Sequence, residues 1–67
     1  MKVKLIEKNY ESSLYEIHDG DKWWTANHDA IRDEWYIVNE RLQVVREDGR
    51  LGLKIVDACK RAMEEQK

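Results

Sequence analysis

The sequence predicts an α+β fold of two layers, a three-stranded antiparallel meander with two helices packed on one face. Apolar and polar residues alternate in the first part of the chain, and an Asp-Gly pair separates two of the alternating segments. The rest of the chain carries apolar residues at helical spacing. Because there is no proline, no glycine-serine linker and no internal repeat, residues 1–67 are expected to form a single domain.

The first strand is predicted over residues 2–8, KVKLIEK. Val3 and Leu5 point to one side, because successive side chains of a strand lie on opposite faces. The other side then carries a mainly basic set, Lys2, Lys4, Ile6 and Lys8.

The next two strands, SLYEIH and KWWTA, are predicted to form a hairpin around Asp19-Gly20, a dipeptide that suits a two-residue type I′ turn. Counting outward from that turn pairs Tyr15 with Trp24 and Glu16 with Trp23. One face thus receives Tyr15, Ile17 and Trp24, and the other receives Leu14, Glu16, His18 and Trp23. A slip of one residue would exchange the two faces.

Residues 28–47 are predicted to form the first helix, with Asn27 as the N-cap and Gly49 just after the end. WYIV and LQVV have strand-like composition, so the alternative is a helix over 28–38 and a fourth strand at about 42–47. The longer helix is preferred because its apolar residues form one stripe, Ile31, Trp35, Val38, Leu42 and Val45.

The second helix is predicted over residues 51–66, although Gly52 weakens its first turn by roughly 1 kcal/mol relative to alanine. Its apolar arc comprises Leu51, Ile55, Val56, Ala58, Cys59, Ala62 and Met63. The helices are expected to cover a core that includes Tyr15, Trp24, Ile31, Trp35 and Val38.

Residues with catalytic potential lack activating neighbours in the sequence. Cys59 falls in the apolar arc, where a buried thiol is inert. Ser12 and Ser13 have no base beside them, and no phosphate-binding or nucleophile motif occurs. The chain is therefore predicted not to be an enzyme and to have no small-molecule substrate.

Metal-binding residue types gather in two places, His18 with Asp19 and Asp21, and His28 with Asp29 and Asp33. Their spacing matches no zinc or iron signature. Asp19 has a sufficient role in a turn, and Asp29 has one in a first helical turn. We expect no metal and no cofactor.

The single cysteine cannot form an internal disulfide, and no apolar run approaches the roughly 18 residues of a membrane span. There is also no secretory leader, and Met1 opens directly onto a strand pattern. These features predict a complete, small cytoplasmic protein without a membrane anchor.

A single-stranded nucleic-acid-binding domain is one functional alternative. Lysines beside Trp23 could serve a sheet on which bases stack, namely Lys2, Lys4 and Lys8. On the last helix, Arg50, Lys54 and Arg61 lie within about 40° of one another. Asp57 lies in the same stripe at ion-pair spacing, which favours a solvated, salt-bridged face instead.

Protein binding is the function that the sequence favours most. If the first two strands pair, Ile6, Leu14 and Trp23 stand together on a sheet face that has no helix over it, with Lys4 and Glu16 at the rim. An exposed tryptophan of this kind is enriched at interface hot spots. We expect a small non-catalytic interaction module whose partner is another protein or, in a homodimeric structural protein, a second copy.

The run YEIHDGDKWWTANHDAI resembles the strand–turn–strand–helix opening of short uncharacterised phage- and prophage-encoded proteins. The matching positions are Tyr15, Asp19-Gly20, Trp24, Ala26 and Ala30-Ile31. The resemblance implies a phage-type accessory or inhibitor protein that acts by binding a host protein, and it implies no site residues.

Overall fold

A computed structural model describes residues 1–65 as one antiparallel sheet of five strands with a C-terminal helix. The strands follow chain order across the sheet. The elements are β1 (Lys2–Lys8), β2 (Ser12–Asp19), β3 (Lys22–Asp29), β4 (Glu34–Asn39), β5 (Val44–Val45) and α1 (Arg50–Glu65). The α+β class is confirmed, whereas the prediction of three strands and two helices is wrong in detail.

The β2–β3 hairpin turns at Gly20-Asp21, one residue later than predicted. Asp19 pairs with Lys22, and Ile17 lies directly opposite Trp24. Gly20 has a φ of 66°, a left-handed conformation that glycine adopts without strain. Moving a turn by one residue shifts each cross-strand pair by two positions, so the pairing was wrong while both face assignments were right.

The predicted helix over residues 28–47 is replaced by a turn, β4, a second turn and β5. Asn27, the expected N-cap, pairs inside the sheet with Tyr36. The side chain of Asp29 accepts hydrogen bonds from the backbone N–H groups of Ile31 and Arg32, at 3.0 and 3.2 Å. This local bonding turns the chain back into the sheet, where the β-rich WYIV segment pairs along β3.

The alternative of a fourth strand near 42–47 comes closer, since β5 occupies Val44–Val45. A tight turn joins it to β4: Asn39 Oδ1 accepts from the N–H groups of Arg41 and Gln43, both at 2.9 Å. The N–H of Leu42 donates to the Asn39 carbonyl at 2.9 Å, and Leu42 has a φ of 63°. A type I turn followed by a left-handed residue is a common three-residue hairpin loop, usually with glycine at that last position.

The core lies between α1 and one face of the sheet. Its buried residues are Tyr15, Ile17, Trp24, Ala26, Ile37, Ile55 and Cys59. Partly buried side chains at its margin are Val3, Leu5, Trp35, Val45, Val56 and Met63. Tyr15 and Trp24 are therefore core residues as predicted, and Trp35 lies at the core margin. Ile31 is a turn residue that is 74% exposed, and Val38 faces away from α1, so both expectations were wrong.

Helix α1 matches the predicted 51–66 closely, and residue 66 lies outside the described residues. Gly49 comes before this helix instead of ending an earlier one, and its carbonyl accepts the N–H of Leu53 at 2.8 Å. Gly52 is buried against the chain that leads into the helix, since a Cβ there would lie 1.8 Å from the Arg46 carbonyl oxygen. Close backbone contact explains a glycine that helix propensity disfavours.

The two outer edges of the sheet differ in how they are shielded. Strand β1 has lysines along it and a bulge in which Ile6 and Glu7 together oppose Leu14. At the other side β5 is only two residues long. Where β4 extends past β5, the N–H of Trp35 donates to Glu47 Oε2 at 2.8 Å. Edge lysines, bulges and short edge strands all oppose pairing with a strand of another chain.

Candidate functional site

The sheet face opposite α1, called the outer face below, has no helix of residues 1–65 over it. It consists of the residues that alternate with the buried ones along each strand. The strand register arranges them in four rows. The first row is Lys2, His18 and Trp23, and the second is Lys4, Glu16, Thr25, Val38 and Val44. The third is Glu7, Leu14, Asn27 and Tyr36, and the fourth is Ser12, Asp29 and Glu34.

The predicted contact residues Leu14, Trp23, Lys4 and Glu16 fall on this face but do not form one tight cluster. Trp23 lies beside His18 in the first row, and Leu14 lies in the third row. Two steps of two residues along a strand separate these rows by about 13 Å. Lys4 and Glu16 are direct cross-strand neighbours between them. Ile6, the fifth predicted residue, occupies the β1 bulge and is exposed.

Three apolar residues of the outer face were missed by sequence reasoning, namely Tyr36, Val38 and Val44. Tyr36 is 59% exposed and Val44 is 62% exposed, more than Trp23 at 39%. All three were assigned to the predicted helix over 28–47. The apolar stripe of that helix obscured the alternation of side chains that is typical of a strand in EWYIVN. The β-rich composition of that segment was the available signal. With them, the apolar surface extends across all five strands.

The charges of the outer face are predominantly negative. Lys2 and Lys4 are its lysines, whereas its carboxylates are Glu7, Glu16, Asp29 and Glu34. Glu16 lies opposite Lys4 and also contacts the His18 ring through Oε1 and Nε2. A face of this sign attracts polyanions poorly.

The basic residues considered for nucleic-acid binding do not share a surface. Arg50, Lys54 and Arg61 belong to α1, which lies on the opposite side of the sheet from Lys2 and Lys4. Arg61 pairs with Asp57 at 3.1 Å, as its spacing predicted. Lys8 lies at the end of β1 opposite Ser13, an inner-face residue. The six positions are thus divided between two sides of the molecule.

A second group of polar and aromatic residues lies at the margin of the inner face. The His28 ring stacks on Trp35, with centroids 4.4 Å apart and planes 22° apart. Trp35 stacks in turn on Tyr15 at 5.8 Å. His28 Nε2 and Asp33 Oδ1 are 2.8 Å apart across the β3–β4 turn, and this hydrogen bond is the main reason that the pKa of Asp33 is lowered. The sequence did not predict this contact, because residues five apart do not align on the helix that was expected over 28–47.

This group has the residue types of a Ser–His–Asp arrangement but not its contacts. Ser13 is the cross-strand neighbour of His28. Ser13 is nevertheless 5% exposed, and among the hydrogen bonds of residues 1–65 none joins it to His28. A nucleophile must be reachable and bonded to its base to be activated. The His28–Asp33 hydrogen bond spans the β3–β4 turn.

Cys59 is buried in the core, and burial raises the pKa of its thiol to about 12. A thiol in this state is a poor nucleophile and a poor metal ligand. Within the described part of the chain, no three His, Cys, Asp or Glu side chains come together as a metal-binding group. His18 and Asp19 are instead neighbours at the end of the β2–β3 hairpin.

An open groove of about 640 Å³ continues the outer face beyond its fourth row. Its walls are the β3–β4 turn, through Ile31 and Arg32, the β1–β2 turn, through Glu11, and strand β4, through Glu34 and Tyr36. Ile31 is 74% exposed there. The groove adds apolar area beside Tyr36, and its acidic walls maintain the negative sign of the face.

No family model, curated protein or solved structure matches this chain. Helix α1 is too short and too polar to cross a membrane, and no other helix occurs among residues 1–65.

Proposed function

We propose that this chain is a non-catalytic protein-interaction module that docks through its outer face. The observation that carries the proposal is the set of apolar side chains that spans a sheet face without a helix over it, with Tyr36 and Val44 each more than half exposed. Contiguous apolar patches with a polar surround mark contact sites on small proteins. Tyrosine and tryptophan are also the residues most often found at the energetic centre of interfaces.

The layout of the face supports protein binding. Trp23 in the first row and Tyr36 in the third provide two separated aromatic anchors. Thr25 and Val38 lie between them, so the part of the face on β3 and β4 between the two anchors is free of charge. The charged residues Lys2, Lys4 and Glu34 lie toward its margins. Uncharged residues between aromatic anchors, with charged residues toward the rim, are the usual anatomy of protein interfaces.

Electrostatics disfavours the nucleic-acid alternative. Binding to a phosphate backbone depends on several lysines or arginines that face the same way. The outer face instead has four carboxylates and two lysines, and the arginines of α1 lie on the other side of the sheet. Protein binding is the better explanation of the same aromatic residues.

The test is affinity capture with the tagged chain, with cell lysate and untagged chain both offered as prey. The variant W23A/Y36A removes both aromatic anchors, and L53A is the matched control because Leu53 is 59% exposed on α1. We expect the wild type and L53A to retain the same proteins and W23A/Y36A to lose them, with circular dichroism confirming that all three are folded. Equal capture by W23A/Y36A would refute the proposal.

A further inference from the structure

We propose that the groove beside the β3–β4 turn binds an arginine side chain from an extended segment of a partner protein. This inference rests on the proposed function, because it specifies the chemistry of the partner that docks on the outer face. The arguments are the charge of the groove, a pair of carboxylates that face each other across neighbouring strands, and an exposed aromatic ring next to them.

The groove is formed where two turns meet at one end of the sheet. The β1–β2 and β3–β4 turns lie at the same end, because successive strands run in opposite directions. The N–H of Ala30 donates to the Glu11 carbonyl at 2.8 Å, which joins the two turns. The floor is the outer face itself, through Asn27, Glu34 and Tyr36. Its volume of about 640 Å³ is within the range of about 300–1,000 Å³ that is usual for ligand sites.

The charge of the groove is negative. Its carboxylates belong to Glu11, Asp29 and Glu34, and its cation is Arg32. Among residues 1–65, none of these four side chains takes part in an ion pair. A surface of this sign attracts and orients a basic segment and repels an acidic one. The complementary occupant is therefore positively charged.

Two of the carboxylates lie directly opposite each other. Asp29 of β3 is the cross-strand partner of Glu34 of β4 in the fourth row. Like charges at such positions destabilise a sheet, because their Cβ atoms are only about 5 Å apart. The carboxylate of Asp29 is held in place by the backbone N–H groups of Ile31 and Arg32. A cation bound at Glu34 adds an attraction and also offsets this repulsion.

The aromatic neighbour favours arginine over lysine. Tyr36 follows Glu34 by two residues on β4, so both side chains project from the same face about 7 Å apart along the strand. The Tyr36 side chain is 59% exposed, which leaves its ring accessible. A guanidinium can stack on an aromatic ring while its N–H groups bond a carboxylate, whereas an ammonium has neither a planar face nor a fork of donors.

The apolar wall of the groove indicates which residues should flank the arginine. Ile31 is 74% exposed on that wall, and Leu14 continues the outer face from the groove along β2. In an extended segment, residues two apart project to the same side. Apolar residues two positions before and after the arginine would therefore contact these side chains while the arginine enters the groove.

The probe for this site is a fluorescein-labelled heptapeptide with uncharged ends. It has arginine at its centre, leucine two positions before and after it, and threonine elsewhere. One control peptide replaces arginine by citrulline, which keeps the shape without the charge, and another replaces it by lysine. Fluorescence anisotropy should give a Kd of about 100 µM for the arginine peptide, and at least about tenfold weaker binding for the citrulline peptide. The lysine peptide should bind more weakly than the arginine peptide.

Three variants of the protein locate the site. Glu34→Gln removes a carboxylate and also its repulsion with Asp29, so binding should weaken about tenfold without a fall in melting temperature. Arg32→Gln removes the cation that competes with the probe, so binding should tighten about twofold to threefold. Glu64→Gln is the matched control, because it makes the same change of charge at an exposed position of α1. Its binding should equal that of the wild type.

Several results would overturn the inference. They are the absence of probe binding at about 1 mM wild-type protein, and a citrulline or lysine peptide that binds as tightly as the arginine peptide. Binding by Glu34→Gln that equals the Glu64→Gln control has the same meaning, as does an Arg32→Gln variant that binds no more tightly than the wild type. If Glu34→Gln is unstable, Arg32→Gln still decides, because lost stability cannot tighten binding.

The capture experiment separates this inference from the proposed function. If the probe does not bind and W23A/Y36A still loses lysate proteins, the outer face docks a partner of other chemistry and only the arginine site is refuted. If the probe does not bind and W23A/Y36A captures what the wild type captures, both proposals fail.

Discussion

The carbonyl oxygen of Arg46 lies so close to Gly52 that a Cβ atom at residue 52 would be 1.8 Å from it. The same Cβ would lie 2.8 Å from the Cα of Glu47. Both neighbours are backbone atoms, which cannot move aside as a flexible side chain can. The segment between β5 and α1 is thus packed directly on the first turn of the helix.

Substituting Gly52 by alanine is therefore expected to destabilise the protein, although alanine is the better helix former by roughly 1 kcal/mol. Forcing apart closely packed atoms typically costs 1–3 kcal/mol, and a contact with backbone atoms this short belongs at the upper end, so after the gain in helix propensity we expect a net loss of up to about 2 kcal/mol in urea unfolding. Gly49→Ala is the matched control, because its Cβ would meet the Arg46 oxygen at 3.4 Å, an ordinary contact. A Gly52→Ala variant as stable as the wild type would contradict the close contact.

Leu42 is a second position at which the backbone conformation disfavours the residue type that occupies it. A φ of 63° costs an L-residue with a Cβ roughly 1–2 kcal/mol, and the leucine side chain is 78% exposed, so it recovers little of this by packing. Leu42→Gly should raise the free energy of unfolding by about 1 kcal/mol, or the melting temperature by about 4–8 °C. Leu42→Ala keeps the Cβ and should change neither; a similar gain from alanine would show that the strain is elsewhere.

Cys59 predicts how stability changes at alkaline pH. The folded thiol has a pKa of about 12 against an ordinary value of 9.0, so above pH 9 the unfolded chain loses this proton first. Ionisation then favours the unfolded state, and stability should fall as pH rises from 9 toward 12. Burial also raises the pKa of Tyr15, which adds to the decline in the same direction.

Urea unfolding across this alkaline range would measure the effect. Cys59→Ala should lose about 1 kcal/mol near neutral pH through the cavity it leaves, and its stability should then decline less steeply with pH than that of the wild type. Parallel pH profiles for the two proteins would contradict the assignment. Thiol labelling by an aromatic disulfide reagent should likewise proceed only as the protein unfolds.

The Asp33–His28 hydrogen bond predicts an effect at acid pH. A lowered carboxyl pKa means that the stabilisation is present above the ordinary value of 3.8 and is lost as pH falls through the folded pKa. Asp33→Asn removes the charge, and asparagine tolerates the φ of 53° at this position. We expect the variant to be less stable than the wild type near neutral pH and equal to it at about pH 2. A difference that stays constant down to that pH would assign the loss to something other than the carboxylate.

The sequence was sufficient to predict local patterns in the strands β1 to β3 and in α1. Alternation assigned Trp23 and Trp24 to the correct faces, although the turn itself moved to Gly20-Asp21. The assignment of residues to the two faces stayed correct because moving a two-residue turn along this hairpin changes each cross-strand partner by two positions, which keeps it on the same face. The exact pairing depends on which residue takes the left-handed conformation. That choice is made by Gly20, not by Asp19.

The secondary structure of residues 28–47 could not be assigned correctly from the sequence, because the apolar residues there have the spacing of a helical stripe by coincidence. In the structure, Trp35 and Val45 lie at the core, Val38 lies on the outer face, and Ile31 and Leu42 lie in turns. Asp29 and Asn39 decide the outcome, since their side chains hold the two turns. Asp29 and Asn39 would suit a helix equally well as residue types. They act as turn residues only because the segment pairs along β3.

The residues of the outer face were predicted only in part, again because the middle segment was assigned to a helix. Leu14, Glu16 and Trp23 were assigned to the correct face, but the row order separates Leu14 from Trp23. Tyr36 and Val44 could not be included while the segment was assigned to a helix. Their exposure depends on β4 and β5 forming hairpins with their neighbouring strands, which the helical spacing of the apolar residues did not indicate.

The shielded edge of β1 has a consequence for how this chain can assemble. A sheet that pairs through its edges grows one copy after another, and such growth has no natural end. Lysines and a bulge on β1, together with a two-residue β5, oppose that route on both sides. Growth into a fibre by edge-to-edge pairing should therefore be disfavoured at both edges of this sheet, even at high concentration.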